Sequence, residues 1–439
     1  MKISTSILYS LILSLFLADS IKAQDITNLG GDLTSHLPAF ASLQLPSPNI
    51  TSKEREDFHF SSHAQFHAPF DTLIPGKVRV GPKFNHTSCG GCHVNDGKGP
   101  IKFSNGVDGS SMLVKVSLKG LLPNGLPRDV PGVGEQLQDH QVKGRSPFNI
   151  RLRWKFIEGK FPDGKKYKLR KPDLSFKIPR VNKRKIIHSL RMTPSVIGMG
   201  LLEAVPDSTL IALSDPNDAN KDGISGKINM VIDRESNSKK IGRFGFKASH
   251  PTLKQQSAAA FFHDMGVTSS LFNPDNEEIE VSDEDLDKIT FYQQVPGVHK
   301  AKDQSNPDVI RGKEIFQEIN CHSCHVMTLK TGNSPIPELA NQTFHPFTDL
   351  LLHDMGPGLA DKRAEFSAQG REWRTTPLWG IGLTKELSPA RPGFLHDGRA
   401  RNIQEAIIWH GGEAKASRNA FMKLKASDRK KLILFLNTL

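Results

Sequence analysis

All four cysteines of this 439-residue chain fall into two Cys-x-x-Cys pairs, and each pair runs straight into a histidine: Cys89-Gly90-Gly91-Cys92-His93 and Cys321-His322-Ser323-Cys324-His325. No other feature constrains the fold as strongly, because CxxCH is the attachment motif of c-type haem. Two thiols three residues apart can reach the two vinyl groups of one porphyrin. The next residue, histidine, then falls under the ring as the proximal iron ligand. Two covalently bound haem c groups are therefore expected, held by Cys89, Cys92, His93, Cys321, Cys324 and His325. The competing readings are a Cys2His2 zinc site or a pair of disulfides, and neither needs the same histidine twice.

The start of the chain makes the thiols more telling. Lys2, the apolar residues 7–18 (ILYSLILSLFLA) and Ala23 read as a signal peptide over residues 1–23. The apolar run is short for a bilayer span, although an uncleaved anchor is the alternative. The expected location is the bacterial periplasm, where free thiols usually end as disulfides or covalent attachments. A content of 37% hydrophobic and 24% charged residues is that of an ordinary globular protein. It excludes a membrane-embedded body, a fibrous repeat and a wholly disordered chain.

Around the second motif the pattern is helical. Asn306-Pro307 reads as an N-cap and first helical position, opening a helix over 307–319 that leads into Cys321. Near the end, Ser427 can cap a helix carrying Leu432, Phe435, Leu436 and Leu439 at i, i+3, i+4, i+7. A helix before the motif and one closing the chain frame a small cytochrome c domain over 306–439. The expected fold is mainly α with β insertions: two cytochrome c-like haem domains, the N-terminal one (24–305) enlarged by a basic β-rich insert.

That insert, residues 143–191, holds seventeen Lys and Arg against three Asp and Glu. Within it Ile150, Leu152, Trp154 and Phe156 alternate with Arg151, Arg153 and Lys155, which predicts a half-buried strand with one apolar and one basic face. Pro162-Asp163-Gly164 is a turn, and Leu174, Phe176 and Ile178 resume the alternation. The basic face is either a solvated surface or a dock for an acidic electron-transfer protein. Nucleic acid is not expected as a partner. In residues 218–226, Asp218, Asn220, Asp222 and Gly223 mimic the first half of a calcium loop, but Asn229 stands where the bidentate glutamate belongs; an Asx-rich turn explains the same letters.

Several further residues are candidates. His59, His63 and His67 would share one helix face, as a polar surface or as a sixth ligand to the first haem. His263 and His353 each sit in an HDMG string, making Met265 and Met355 second-choice thioether ligands. Asn402 can cap a helix that places His410 on its buried face, where an imidazole needs a partner. His410 is thus expected opposite His325, with a backbone-bonded core histidine as the alternative. Trp373, Trp379 and Trp409 cluster in the C-terminal part, as packing groups or electron carriers.

The chain resembles the di-haem oxidoreductases related to bacterial di-haem cytochrome c peroxidases, a family also labelled thiol oxidoreductases. The residues that carry this are Gly81 to Asn85 (GPKFN), Gln136 to Asp139 (QLQD), Gly200 to Ala204 (GLLEA), His263 to Gly266 (HDMG), 370–380 (GREWRTTPLWG) and 395–412 (LHDGRARNIQEAIIWHGG). The resemblance implies peroxidase-like reduction of a small oxidant such as peroxide at the N-terminal haem, with the C-terminal haem as electron store. It also implies calcium between the domains and Glu203 as acid/base, unless that carboxylate serves a helix end or a salt bridge. In the relatives a ligating methionine lies fourteen residues after the histidine of the HDG string; here that position, counted from His396, is His410. An electron carrier without its own substrate and a thiol- or protein-oxidising enzyme are the alternatives.

Overall fold

The computed structural model describes residues 25–70, 80–103, 111–144, 146–274, 277–388 and 393–439. The expected signal peptide lies outside these residues. Among them, no helix is long and apolar enough to cross a membrane.

The architecture is a set of short helices with several small sheets. The labelled helices are α1 (Lys53–His67), α2 (Cys89–Cys92), α3 (Met199–Glu203), α4 (Leu253–Ala260), α5 (Asp283–Gln294), α6 (Pro307–Glu318), α7 (Ile403–Trp409) and α8 (Ala426–Leu436). The longer strands are β1 (Met112–Leu121), β2 (Arg151–Lys160), β3 (Lys166–Ser175) and β4 (Ile186–Met192). β1 pairs antiparallel with β4 from Met112↔Met192 to Leu118↔Ile186, and β2 with β3 from Arg151↔Ser175 to Lys160↔Lys166.

The helix starts follow local chemistry. Asn306 caps α6 by accepting from Asp308 N at 2.9 Å, and Asn402 caps α7 by accepting from Glu405 N at 2.9 Å. Ser427 does not cap α8. That helix begins one residue earlier, after Lys425, without a side-chain cap. Leu432, Phe435, Leu436 and Leu439 are buried as the spacing predicts.

The alternation at 150–156 holds only at its base. Ile150 is buried and Leu152 and Trp154 are half-buried, but Phe156 and Ile157 are 54% and 45% exposed. β2 and β3 pair only with each other, and a two-stranded ribbon twists strongly, so one face cannot stay against the core along its whole length. The far end turns its other face inward: Leu169 is buried, and Phe161 at the tip is 1% exposed. Phe161 packs with Tyr167 and Phe421, under the Arg429 guanidinium 4.1 Å from its ring centroid. Arg429 also pairs with Asp163 of the turn. The ribbon thus runs from the N-terminal part onto the C-terminal helices.

One apolar cluster joins the halves further. It holds Ile26, Leu29, Leu33, Leu43, Phe161 and Leu169 together with Phe316, Phe421 and Phe435.

Candidate haem sites

The first motif forms the single helical turn α2, capped by Ser88 Oγ accepting from Gly91 N at 3.1 Å. Its two glycines have a steric reason. A Cβ at Gly90 would run into the ring of His67, and one at Gly91 into the ring of His86. His93 then turns its Nδ1 to the carbonyl of Pro194 at 2.8 Å. A ring nitrogen donating to a carbonyl fixes the tautomer and leaves Nε2 as the bare acceptor that iron requires. Burial lowers the His93 pKa to about 4, which keeps the imidazole neutral. Burial pushes the Cys89 thiol up to about 12 and that of Cys92 well above its usual value.

In front of this motif lies a cavity of about 560 Å³, lined by Cys89, Cys92 and His93 and, further in, by residues of β1, β4 and α4. Its charged lining is Lys115, Arg191, Arg234, Arg363 and Arg374 against Glu135, Asp264 and Glu365. Arg191 and Arg363 are engaged: both contact Glu365, and Arg363 also holds Glu135 at 2.6 Å. Arg374 instead donates to the carbonyls of Gly245 and Thr375, and Arg234 to that of Leu271. Burial lowers the pKa of Lys115, and Glu135 and Asp264 act on it only as nearby charges. With Asp361, which also pairs with Arg191, five cations meet four carboxylates, a positive excess that suits a cofactor bearing propionates, since buried charges need partners. The donor set and the cavity fit a haem attached at Cys89 and Cys92.

The second motif repeats the ligand arrangement. His325 turns Nδ1 to the carbonyl of Phe347 at 3.0 Å. Burial lowers its pKa to about 4, and the charge of His410 adds to the fall. His410 lies just past the end of α7, half-buried, with Nδ1 on the carbonyl of Ala406 at 2.8 Å. Both half-buried imidazoles turn Nδ1 to a backbone carbonyl, which leaves Nε2 of each as the free acceptor. Burial raises the Cys321 thiol to about 12. Phe316 stands 6.4 Å from the His325 ring, completing an apolar wall with Phe347 and Phe435.

The other candidates are placed as follows. Met355 is half-buried and its carbonyl abuts Gly411, beside His410. His353 is clamped between Asp349 at 2.8 Å and Glu413 at 2.7 Å, and lies 3.6 Å from Cys324 Sγ. Burial pushes its pKa down, but these partners outweigh burial and hold it well above the ordinary value. Cys324, Asp349 and His353 are the one metal-like His/Cys/Asp/Glu group found among the described residues. The 218–222 turn is not such a group. Asn220 Oδ1 accepts from Asp222 N and Asp222 Oδ1 from Ile224 N, both Asx turns, while Asp218 Oδ1 accepts from Gly223 N five residues on.

Glu203 sits at the end of α3. Its oxygens accept from Leu253 N at 2.7 Å, at the start of α4, and from Gln294 Nε2 at 2.6 Å. Burial raises its pKa. It does not line the cavity, although Leu253 and Met199 on either side of it do.

His59, His63 and His67 do share a face of α1, but that face packs around Tyr292 at centroid distances of 5.2, 5.4 and 5.8 Å rather than lying in solvent. Tyr292 donates to Asp96 at 2.7 Å, and His59 binds the carbonyl of Gln44 at 3.1 Å. Met265 and His263 both line the cavity, His263 being neutral because burial drives its pKa well below normal. His396 stacks on Trp373 with centroids 3.7 Å apart and planes at 11°. Arg191 and Lys247 lie over the same indole at 4.6 and 3.9 Å. Trp379 is in the main core, and Trp409 lies under Arg399 at 4.6 Å.

Sequence reasoning missed His250, which lines the cavity with a buried, unpartnered Nδ1. It also missed the ion cluster of Arg191, Arg363, Glu365 and Asp361 behind it. These residues carry no spacing signal, because they are assembled from three separate segments, around 191, 250 and 361–365.

No curated protein matches the chain. A family model described as "Di-haem oxidoreductase, putative peroxidase" matches residues 126–279 and again 273–439. Two matched stretches that cover most of the molecule, over a chain whose two CxxCH turns hold their histidines in the ligand tautomer, make this protein a member of the di-haem oxidoreductase family.

Proposed function

We propose that the protein is a periplasmic di-haem c-type oxidoreductase that reduces peroxide, or a comparable small oxidant, at the N-terminal site. The observation that carries this reading is the asymmetry between the sites. We take His410, whose Nδ1 is held by the Ala406 carbonyl, as the second imidazole at the His325 site, whereas His93 opens onto the large cavity. A two-histidine site suits electron storage, and a roomy one suits substrate. The haems, when bound, supply the redox-active irons, one at each site.

The chain's own residues do the rest. Pro194 and Phe347 orient the two proximal imidazoles through their carbonyls. In the cavity, His250 is the base we assign to the peroxide proton. Burial, with Lys115 and Arg234 nearby, lowers its pKa to about 4, and its Nδ1 is unpartnered. A neutral imidazole can take a proton from a neutral peroxide and return it to the leaving oxygen. Arg191 and Arg363, fixed by Glu365, keep positive charge beside that site. Glu203 takes a positioning role, holding the start of α4 from outside the cavity. Calcium at 218–222 is not part of this reading, because those side chains serve the turn's own amides. Electrons are supplied by a donor protein of acidic surface.

The ferric spectrum tests the reading. One high-spin and one low-spin haem, with peroxide consumed against a reducing donor, are expected. Two low-spin haems and no peroxide turnover would leave an electron carrier instead.

A further inference from the structure

The β2–β3 ribbon has a composition that its packing does not explain. Arg151, Arg153, Lys155, Lys160, Lys165, Lys166, Lys168 and Lys171 are all exposed along it. Carboxylates offset few of these: Asp173 meets Lys155 at 3.2 Å and Glu158 meets Lys168 at 3.7 Å. Lys155 and Lys171 are directly opposed Cα partners, and like charges in that register destabilise a strand pair. Arg151, Arg153, Lys155 and Lys171 share one face of the ribbon, and the exposed apolar side chain on that face is Ile157; Phe156 lies on the opposite face, with Lys168 4.7 Å over its ring. An apolar spot ringed by like charge is the make-up of a transient protein contact, in which charge speeds encounter and a small apolar centre seats the partner.

The ribbon is also tied to the segment that leads to His410. Arg170 of β3 donates to the carbonyls of Gly398 at 2.9 Å and Arg399 at 3.1 Å. Arg401 returns a hydrogen bond to the carbonyl of Lys168 and pairs with Glu405 of α7, the helix that ends at His410. Arg399 in turn covers Trp409, next to His410.

We propose that the exposed face of the β2–β3 ribbon is the docking surface for the electron donor: a small redox protein with an acidic patch around an apolar centre. This inference rests on the reading of the chain as an oxidoreductase fed by a donor protein. With haem bound at Cys321 and Cys324, each encounter would move one electron from the donor to that haem, with no proton or group transferred. The partner is acidic because the face it meets carries four exposed cations, Arg151, Arg153, Lys155 and Lys171. It is a protein rather than a nucleic acid because the half-buried Trp154 stacks on Arg170, 4.1 Å from its ring, leaving no row of bare aromatic faces for bases.

The experiment uses the full di-haem protein and two donors, an acidic plastocyanin and a neutral hydroquinone. The triple variant Arg153→Glu, Lys155→Glu, Lys171→Glu should keep both haem spectra. Stopped-flow reduction of its C-terminal haem by plastocyanin at low salt should slow by about tenfold or more, within the range of charge steering. Wild-type reduction by plastocyanin should fall as salt rises past about 0.1 M, where the screening length is about 10 Å. Reduction by the hydroquinone should change in neither case. Equal plastocyanin rates in variant and wild type would overturn the docking assignment. Peroxide turnover with the hydroquinone is independent of the ribbon, so its loss in wild type would count against the proposed function instead.

Discussion

His410 carries the sharpest consequence of any single residue. Its ring is half-buried, its Nδ1 is held by the Ala406 carbonyl, and burial lowers its pKa. His410→Ala should convert one low-spin ferric haem to high spin, read by electron paramagnetic resonance, and leave the haem count unchanged. A methionine-to-iron charge-transfer band in the wild type, lost in a Met355 variant, would show that thioether holds the iron. In the cavity, His250→Phe should lower peroxide turnover by about 10²–10⁴-fold with both haems in place, the usual span for general acid–base help. Glu203→Gln keeps an acceptor for Leu253 N and should cost less than about tenfold; a loss like that of His250→Phe would return the proton role to Glu203. At this scale the sequence was most readable where covalent chemistry fixes spacing. The CxxCH pairs are local, so they could be read in one line. His250 could not, because what marks it is an unpartnered nitrogen in a cavity built from many distant segments.

Elements were legible where a local cap or alternation agreed with burial. α6 and α7 begin at their asparagine caps, and β2 follows its alternating run. The ribbon's twist was not legible, since a period of two says nothing about which end of the pair will be covered. Nor was the cluster that ties β4 to 361–365. There Arg363 is 1% exposed and paired with Glu135 and Glu365, while Arg191 joins Asp361 and Glu365 at 3.0 Å each. Burial alone would raise the Glu365 pKa, yet Arg363 and Arg191 hold it well below the usual carboxylate range. A depressed carboxylate pKa adds stability that is complete above the unfolded value, about 4.3, and is lost as pH falls below it. Glu365→Gln should therefore flatten the loss of stability between about pH 5 and 3 in urea titrations. It should also lower stability at neutral pH, by up to about 3–5 kcal/mol, because it leaves buried guanidinium groups underpaired. An unchanged acid limb would remove Glu365 from that account.

For the whole molecule, denatured and reduced protein should give a pyridine haemochrome of two haems per chain, and Cys321→Ala with Cys324→Ala should give one. One haem in the wild type, or bound zinc, would break the reading of both motifs. The chain order suggested two domains meeting near residue 305, but the apolar cluster does not stop there. Segment 26–43 and the ribbon tip share it with the C-terminal helices.

That shared cluster bears on how the molecule comes apart. If the halves had separate interiors, heating would melt them one after the other. With Phe161 seated on Phe421 under Arg429, unfolding either half strips cover from the other. A calorimetric trace should then show one cooperative peak in the holoprotein. Phe161→Ala, expected to cost about 3–5 kcal/mol by leaving a cavity, should lower that peak and split it in two. The ribbon tip would then be the pin that makes two haem sites one thermodynamic unit, so neither can lose its fold while the other keeps working.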